Sequence, residues 1–252
     1  MERLSTILSL LDLTTLEGSD NISRITGLCE KAKSFREKNL PSPAAVCVYP
    51  TFVRQAKKEL EGSGIRVASV AGAFPSAQSP LPIRVAEVKF AVEEGADEID
   101  MVISRGRFLE GDTAFVHDEI SAIKKVCGNS HLKVILETGE LQTPDLIRLA
   151  SEIAIRAGAD FIKTSTGKIL PAATLEAAGI MLQVIKDHFL KTNQKIGFKP
   201  AGGISDPATA LQYFDLVKRI CGDDWLNPKL FRIGASRLAD ALVKEILAGN
   251  NK

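Results

Sequence analysis

Short apolar runs alternate along the chain with longer amphipathic stretches. Apolar runs bounded by Gly, Pro, Ser or Thr are typical of β-strands. Eight such runs occur, at Ile7–Leu13, Ala44–Tyr49, Arg66–Ala71, Glu98–Ser104, Lys133–Thr138, Phe161–Thr166, Ile196–Pro200 and Phe231–Ala235. The first run is equally compatible with the end of a helix, and the other seven predict strands.

Two of the intervening stretches have the spacing of amphipathic helices. One runs from about Ser19 to Lys38, with Ser19 or Asp20 placed as its N-cap. Its predicted apolar face consists of Ile22, Ile25, Leu28, Ala32 and Phe35. The other begins at Thr143-Pro144 and ends at Arg156, with Gly158 just beyond it as a helix stop.

Eight strand–helix units in 252 residues predict a (β/α)₈ barrel. The competing fold is an open doubly wound sheet, which usually carries a GxGxxG turn near its start, and this chain has no such turn. The barrel is therefore favoured, as one domain over residues 1–252. The segment Phe74–Pro82 contains three prolines and is predicted to form a loop at the barrel rim.

Composition and charge narrow the functional classes. Hydrophobic residues make up 45% and charged residues 25%, as in ordinary folded domains. With 32 basic and 31 acidic residues the net charge is +1, so binding to nucleic acid or to an anionic membrane is not expected. No apolar run approaches the roughly 18 residues that span a bilayer. The first residues do not resemble a signal peptide, and a cytoplasmic location is expected.

Cysteine and histidine spacing argues against a disulfide framework and a metal centre. The four cysteines are widely separated and form no CxxC pair, which favours buried free thiols. The three histidines show neither HxH nor HExxH spacing. We therefore expect surface histidines and no catalytic metal.

An internal repeat relates two of the predicted strands. The segments Gly95–Asp100 and Gly158–Lys163 both read as a helix end at Gly, an Ala-Asp corner and the start of a strand. A charged residue, Asp100 or Lys163, falls five positions after each Gly. Alternate strands of a barrel contribute to the same interior layer, so this acid and this lysine are predicted to face the same lumen.

Two lysines lie within apolar strands. Lys163 in FIKTST and Lys199 in IGFKPAGG both alternate with large apolar residues, which predicts that they point inward. Desolvation and mutual repulsion are expected to lower the pKa of each lysine. A neutral lysine amine is a nucleophile that forms a Schiff base with a carbonyl carbon. The alternative is a structural ion pair between a lysine and Asp100, and Lys133 has no assigned role.

Glycine-containing turns follow the last three predicted strands, at Ser165–Lys168, Ala201–Gly203 and Gly234–Arg237. Loops after the last strands of barrels commonly bind phosphate, with help from a helix N-terminus. Glycines let backbone amides approach an anion closely. The charged side chains of Lys168 and Arg237 and the hydroxyl of Ser236 are candidates for further contacts.

The sequence resembles the deoxyribose-phosphate aldolase family from Leu11 to about Ala239. The resemblance is most specific in FIKTSTGK and GFKPAGG. The matching stretches are LDLTTL (Leu11–Leu16), AAVCVYP (Ala44–Pro50), GADEIDMV (Gly95–Val102), LKVILETGEL (Leu132–Leu141), AGADFIKTSTGK (Ala157–Lys168), GFKPAGG (Gly197–Gly203) and FRIGAS (Phe231–Ser236).

The resemblance implies a class I aldolase on a (β/α)₈ barrel, with no cofactor and no metal. Lys163 would form the Schiff base, Lys199 would lower its pKa and support proton transfer, and Asp100 would be the acid/base partner. Further matches, to the family's substrate and phosphate contacts, are Asp12, Cys47, Gly167, Lys168, Gly202, Gly203, Gly234 and Ser236. The implied partner is a small phosphorylated sugar. The sequence is compatible with a homodimer or a higher homo-oligomer and does not fix the oligomeric state.

The sequence departs from the family at three places. The segment VAGAFPSAQSPLP (Val70–Pro82) lacks the usual compact turn, and Arg237 stands where related sequences often carry a second serine. The chain ends in GNNK without the terminal tyrosine of some longer members, so tail-assisted proton transfer is not expected. Two other functions stay open. One is a non-catalytic phosphate-binding barrel that acts as a sensor or scaffold, and the other is a metal-dependent aldolase, which would need clustered histidines.

Overall fold

Eight parallel strands form one sheet in the order β7-β6-β5-β4-β3-β2-β1-β8. A computed structural model describes residues 2–141 and 143–250. The strands are β1 (Leu11–Thr14), β2 (Ala45–Val48), β3 (Arg66–Val70), β4 (Glu98–Val102), β5 (His131–Ile135), β6 (Phe161–Lys163), β7 (Gly197–Lys199) and β8 (Ile233–Ala235). The GNNK terminus includes Asn251 and Lys252, which lie outside the described residues.

Backbone bridges join the two outermost strands of this order. Phe198 pairs with Phe231 and Ala201 pairs with Gly234, both in parallel, so β7 meets β8. The sheet therefore closes on itself, which removes its free edges. The predicted (β/α)₈ barrel is confirmed, and the open doubly wound sheet is wrong.

Helices lie between successive strands and pack on the outside of the barrel. They are α1 (Glu2–Ser9), α2 (Ile22–Glu37), α3 (Val53–Glu59), α4 (Leu81–Glu93), α5 (Arg105–Leu109), α6 (Thr113–Cys127), α7 (Thr138–Leu141), α8 (Pro144–Arg156), α9 (Leu175–Thr192), α10 (Pro207–Cys221) and α11 (Leu238–Asn250). Short 3₁₀ turns occur at Pro50–Phe52 and Asp223–Trp225. The predicted helix from Thr143-Pro144 to Arg156 is confirmed, because Thr143 caps α8 by accepting a hydrogen bond from Leu146 N.

Two predicted elements differ from the structure near the N-terminus. The run Ile7–Leu13 is not one strand, because helix α1 ends at Ser9 and β1 begins at Leu11. The predicted helix after Ser19 is α2, but neither Ser19 nor Asp20 is its cap. Asn21 caps it and accepts a hydrogen bond from Arg24 N.

The buried face of α2 also differs from the predicted one. Its fully buried residues are Ile25, Cys29, Ala32 and Phe35. Ile22, the first residue of the helix, is 64% exposed. The predicted rim loop after β3 is present but ends at Pro80, since Leu81 and Pro82 form the first turn of α4.

Alternation along the strands separates two packed regions. Residues such as Val46, Val67, Ile99, Val134 and Ile162 point outward and pack against the helices. Burial of each such side chain stabilises the fold by roughly 1.5–3 kcal/mol. The intervening positions point into the lumen, where small apolar residues and charged residues lie.

The Ala-Asp corners of the internal repeat are structurally equivalent, as predicted. Asp97 accepts a hydrogen bond from Val67 N at 2.8 Å, and Asp160 accepts one from Leu132 N at 2.7 Å. Each carboxylate is therefore tied to the preceding strand. The repeat accordingly places Asp100 on β4 and Lys163 on β6 in one interior layer.

Gly197 on β7 generates a stability prediction. It pairs in register with Phe161, and an added Cβ would lie 2.3 Å from the Phe161 ring. Gly197→Ala is therefore expected to lower the free energy of unfolding by about 1–3 kcal/mol through overpacking. Urea unfolding followed by circular dichroism measures this change.

Gly179→Ala is the matched control, because Gly179 lies in α9 with no atom within 4 Å of its added Cβ. This replacement is expected to stabilise the chain by up to about 1 kcal/mol. A Gly197→Ala variant as stable as the parent would show that the Phe161 ring moves freely.

Candidate active site

One carboxylate on β4 holds three lysines from the next three strands. Asp100 accepts hydrogen bonds from Lys133 Nζ at 2.8 Å and from the Nζ atoms of Lys163 and Lys199 at 2.7 Å each. Asp100 and Lys133 are fully buried, and the other two lysines are at most 3% exposed. The predicted meeting of Asp100, Lys163 and Lys199 in the lumen is confirmed.

A second layer of ion pairs lies deeper in the barrel. Glu98 contacts Lys133 at 2.6 Å and Arg232 at 2.6 Å. Arg232 also donates to Asp12 at 2.6 Å, and Asp12 accepts a hydrogen bond from Lys199 Nζ. The ionic network therefore runs without interruption from Arg232, just before β8, to Lys163 on β6.

We call these groups the lumen cluster. Its members are Asp12, Glu98, Asp100, Lys133, Lys163, Lys199 and Arg232. All seven side chains are buried, so water does not screen their charges. The cluster contains four basic groups and three carboxylates. Basic groups therefore outnumber carboxylates by one within the cluster, and Arg66 at its edge adds a further contact to Glu98 at 3.0 Å.

Lys163 is the one lysine of the cluster whose pKa is lowered. Burial lowers the pKa of Lys163, Asp100 acts in the opposite direction, and the charge on Lys199 lowers it further. Burial also acts to lower the pKa of Lys133, but Asp100 and Glu98 outweigh burial and raise it. The pKa of Asp100 lies well below its usual range, because three lysines outweigh its burial.

The expected lowering of the Lys199 pKa is wrong. Burial acts in that direction, but the carboxylates of Asp100 and Asp12 outweigh it and raise the pKa of Lys199. Lys163 contacts one carboxylate and Lys199 contacts two. The pKa values of the two lysines are therefore shifted in opposite directions, and the sequence pattern alone does not predict this difference.

A cavity of about 380 Å³ opens above Lys163 at the carboxyl ends of the strands. Its wall includes Gly167, Lys168, Gly202, Gly203, Gly234, Ser236 and Arg237, from the turns after β6, β7 and β8. An added Cβ at Gly202 would lie 2.7 Å from Ala172 Cβ and 3.0 Å from Gly167 Cα. Only a glycine at this position allows the turns after β6 and β7 to approach so closely.

The backbone amides of these turns are not equally available. Gly234 N donates to Pro200 O at 3.0 Å, so its amide is occupied, contrary to the role in anion binding suggested by the sequence. Within residues 2–141 and 143–250, the amides of Gly202, Gly203 and Ser236 have no hydrogen-bond partner. Lys168 Nζ lies 3.2 Å from a Glu17 carboxylate oxygen across the cavity mouth.

Asp12 and Cys47 lie within the barrel rather than on the cavity wall. Asp12 is fully buried between Lys199 and Arg232. Cys47 is also fully buried, and burial and the charge of Asp100 raise the pKa of its thiol. Asp12 therefore acts on the site through Lys199.

Sequence reasoning left Lys133 unassigned and missed Glu98 and Arg232. A signal was present for two of them, because LKV and FRI repeat the pattern of a charged residue between two apolar ones. Glu98 lacks this signal, since Asp97 precedes it and suggests a solvated strand end.

A buried carboxylate outside the lumen cluster was also missed. Glu137 accepts hydrogen bonds from Thr166 N at 3.1 Å and from the Thr166 hydroxyl. Burial raises the pKa of Glu137, and the hydrogen bonds from Thr166 act in the opposite direction. Thr166 immediately precedes Gly167 and Lys168, so this contact lies directly behind the cavity wall.

Candidate metal-ligand clusters and helical membrane spans are absent from the described part of the chain. There, no group of three or more His, Cys, Asp or Glu side chains is arranged to hold a metal ion. None of the described helices has the length and apolar character needed to cross a bilayer. His131 is half-buried at the start of β5, not on the surface as expected.

Comparison with known proteins identifies the family. A family model described as "DeoC/LacD family aldolase" matches residues 6–214. Deoxyribose-phosphate aldolase of Homo sapiens is 49% identical over 249 residues, covering 94% of this chain and 78% of the human protein. The protein of that name from Bos taurus is 47% identical with the same coverage.

A solved structure shows the same fold. The tetrameric deoxyribose phosphate aldolase from Aeropyrum pernix has a TM-score of 0.78 and 23% identity, covering 98% of this chain and 94% of that chain. The family model and the curated relatives each match most of this chain. The chain therefore belongs to the DeoC/LacD family of aldolases, which are carbon–carbon lyases.

Proposed function

We propose that the chain reversibly cleaves 2-deoxy-D-ribose 5-phosphate to acetaldehyde and D-glyceraldehyde 3-phosphate through a Schiff base on Lys163. The observation that carries the proposal is a buried lysine of lowered pKa at a cavity ringed by glycine turns. The names of the Homo sapiens and Bos taurus relatives support this substrate.

Charge neutrality supports Lys163 as the nucleophile. With Lys133, Lys199 and Arg232 protonated, the three carboxylates of the lumen cluster are already balanced. The remaining amine is free to attack the C1 aldehyde of the open-chain sugar. Attack forms a carbinolamine, and loss of water gives an iminium ion.

Carbon–carbon cleavage requires a base for the C3 hydroxyl proton. Asp100 is ionised, and a water molecule between it and the substrate would carry that proton to the carboxylate. The C2–C3 bond breaks, C3 becomes the aldehyde of the triose phosphate, and the bonding electrons pass to the iminium to form an enamine. Protonation of the enamine at C2 and hydrolysis then release acetaldehyde and restore Lys163.

Lys199 is suited to donate protons and to hold Asp100. Its pKa is raised whereas that of Lys163 is lowered, so Lys199 holds its proton more firmly than Lys163 does. Its Nζ lies 2.7 Å from the same Asp100 oxygen that contacts Lys163. A proton can therefore move between these groups over hydrogen-bond distances.

The substrate phosphate is assigned to the cavity rim. The free amides of Gly202, Gly203 and Ser236 and the ammonium group of Lys168 supply donors and positive charge. The Ser236 turn leads directly into α11, whose N-terminus favours an anion. Binding energy from this remote group holds the reacting carbon beside Lys163.

The other functions considered from the sequence lack support. Membership of an aldolase family does not support a non-catalytic sensor or scaffold. A metal-dependent aldolase has no clustered histidines to hold its ion. The proposal also includes a cytoplasmic location, which the four buried free cysteines support, and a homo-oligomer, for which the Aeropyrum pernix tetramer is a precedent.

Schiff-base formation is tested by trapping with borohydride. The chain incubated with deoxyribose 5-phosphate and borohydride is expected to carry one covalent adduct on Lys163, because reduction converts the imine to a stable secondary amine. Peptide mass spectrometry locates the adduct. Lys163→Arg is expected to abolish it, whereas the exposed control Lys125→Arg should retain it. Labelling of Lys133 or Lys199 instead would contradict the assignment.

The charge on Lys199 predicts a pH effect. Lys163 is active as the neutral amine, so kcat/KM rises as the pH increases through its pKa. Lys199→Met removes a charge that lowers this pKa, so the rising limb should move to higher pH. The variant should also lose about 3–5 kcal/mol of stability, since it strips a partner from two buried carboxylates.

The pH–rate profile is measured below the unfolding temperature of each variant. Lys191→Met on the exposed end of α9 is the control and should leave the profile in place. An unmoved limb in folded Lys199→Met would show that Lys199 does not tune Lys163.

The phosphate assignment predicts a substrate-specific effect of Lys168. Lys168→Ala is expected to raise KM for deoxyribose 5-phosphate about tenfold, because it removes one charge-assisted contact. The slower reaction with unphosphorylated deoxyribose should stay nearly unchanged. Steady-state kinetics with both sugars measure the difference, and Lys125→Ala is the control. Equal decreases in kcat/KM with both sugars would show that Lys168 does not bind the phosphate.

A further inference from the structure

Glu137 follows β5 and is fully buried outside the lumen cluster. It has a φ of 56°, in the left-handed region that a residue with a side chain rarely adopts. Such a conformation costs about 1 kcal/mol or more and persists where the surroundings hold it. The next residue provides one such restraint, because Thr138 N donates to Thr164 O at 2.9 Å.

The contacts of Glu137 are concentrated on one residue of the cavity wall. Both carboxylate oxygens accept from Thr166 N, at 3.1 and 3.3 Å, and one of them also accepts from the Thr166 hydroxyl. The Thr166 hydroxyl oxygen in turn accepts from Lys168 N at 3.1 Å. A continuous hydrogen-bonded path therefore leads from Glu137 to the backbone of Lys168.

This path fixes the 166–168 turn. It occupies the amides of Thr166 and Lys168, whereas the Gly167 amide, on the cavity wall, has no partner within the described ranges. The Lys168 side chain lines the same wall. Glu137 thus holds the turn in a form that presents one free amide and one ammonium group to the cavity.

Arg105 extends the same arrangement to the neighbouring loops. Its guanidinium lies 3.4 Å from Glu137 and donates to Pro75 O at 3.1 Å. It also lies 3.1 Å from Glu140, whose side chain is 40% exposed. Glu137 and Arg105 therefore connect the loop after β3 with the turn after β6.

We propose that Glu137 is a positioning residue for phosphate recognition, acting through Thr166 on the turn that carries Gly167 and Lys168. This inference rests on the proposed function, since it assumes that the cavity rim binds the substrate phosphate. Glu137 does not touch the substrate. A loss of this carboxylate should therefore weaken binding of the phosphate and leave the Schiff-base chemistry intact.

Glu137→Gln tests the proposal while preserving shape. The amide retains one acceptor oxygen, and its NH2 group replaces an oxygen that accepts from Thr166 N, so that two donors would face each other there. We expect KM for deoxyribose 5-phosphate to rise about tenfold or more, the usual effect of losing a hydrogen bond to a charged group. The values of kcat/KM for unphosphorylated deoxyribose and the rate of borohydride trapping with acetaldehyde should stay within about twofold of the parent.

Glu140→Gln is the matched control. Glu140 lies in helix α7, which begins just after Glu137, and it contacts the same arginine, but it has no hydrogen bond to Thr166. Its replacement should leave both substrates unaffected. Thr166→Val is the second variant, because it removes the hydroxyl from the path and should reproduce the phosphate-specific effect if Glu137→Gln does not fold.

The outcomes separate this inference from the proposed function. If Lys168→Ala raises KM only for the phosphorylated sugar, and Glu137→Gln and Thr166→Val do not, the role of Glu137 alone is overturned. If none of the three variants raises KM specifically for the phosphorylated sugar, the proposed phosphate site itself is overturned. Equal losses with both sugars in Glu137→Gln would overturn the inference in favour of a general role in barrel stability.

Discussion

The site depends on the carboxylate of Asp100, which holds three lysines inside a closed barrel. An isolated ammonium group in such an interior would be too costly to keep charged, and three of them would also repel one another. Asp100 contacts all three at 2.7–2.8 Å. One carboxylate cannot neutralise three cations, and the deeper carboxylates Asp12 and Glu98 complete the balance for two of the lysines. Lys163 pairs with Asp100 alone, so burial and the charge on Lys199 outweigh that one carboxylate and lower the pKa of Lys163.

Strand register explains why these groups meet. Asp100 pairs with Lys133 across β4 and β5, and Lys163 pairs with Lys199 across β6 and β7. In a barrel, the stagger between strands brings side chains of alternate strands into one layer, so Asp100 reaches Lys163 although β5 lies between their strands. The lysines and carboxylates of the lumen cluster are thus held mainly by strands, whereas the groups proposed to bind phosphate come from turns. This division suits the proposed function, in which a rigid reacting centre lies beneath a rim that binds the substrate phosphate.

Local sequence patterns predicted much of this arrangement. The alternation of apolar runs with amphipathic stretches predicted the βα units, and period-two alternation predicted the inward positions of Lys163 and Lys199. The internal repeat then placed Asp100 in the same layer as Lys163. These patterns did not give the direction of the Lys199 pKa, since that depends on Asp12, which is 187 residues away in the chain. Local patterns also failed at Asn21 and Gly234. Which residue caps α2, and whether the Gly234 amide is free to bind a ligand, depend on the positions of neighbouring segments. Those positions are fixed only in the folded barrel.

The buried ion pairs have a cost that the rest of the barrel must offset. Replacing such a network by apolar residues is often neutral or stabilising, so the lumen cluster is not explained by stability. The outward-facing aliphatic layer between strands and helices supplies the stability that offsets the cost of burying the lumen cluster. The lumen cluster is explained instead by what it does to one amine. Lys133 and Arg232 do not line the cavity, yet they contact Asp100 and Asp12, and Glu98 holds them both. Asp100 and Asp12 in turn act on the pKa values of Lys163 and Lys199. Residues away from the cavity therefore act on the lysine that lines it, and Glu137 acts in the same indirect way on the cavity wall through Thr166.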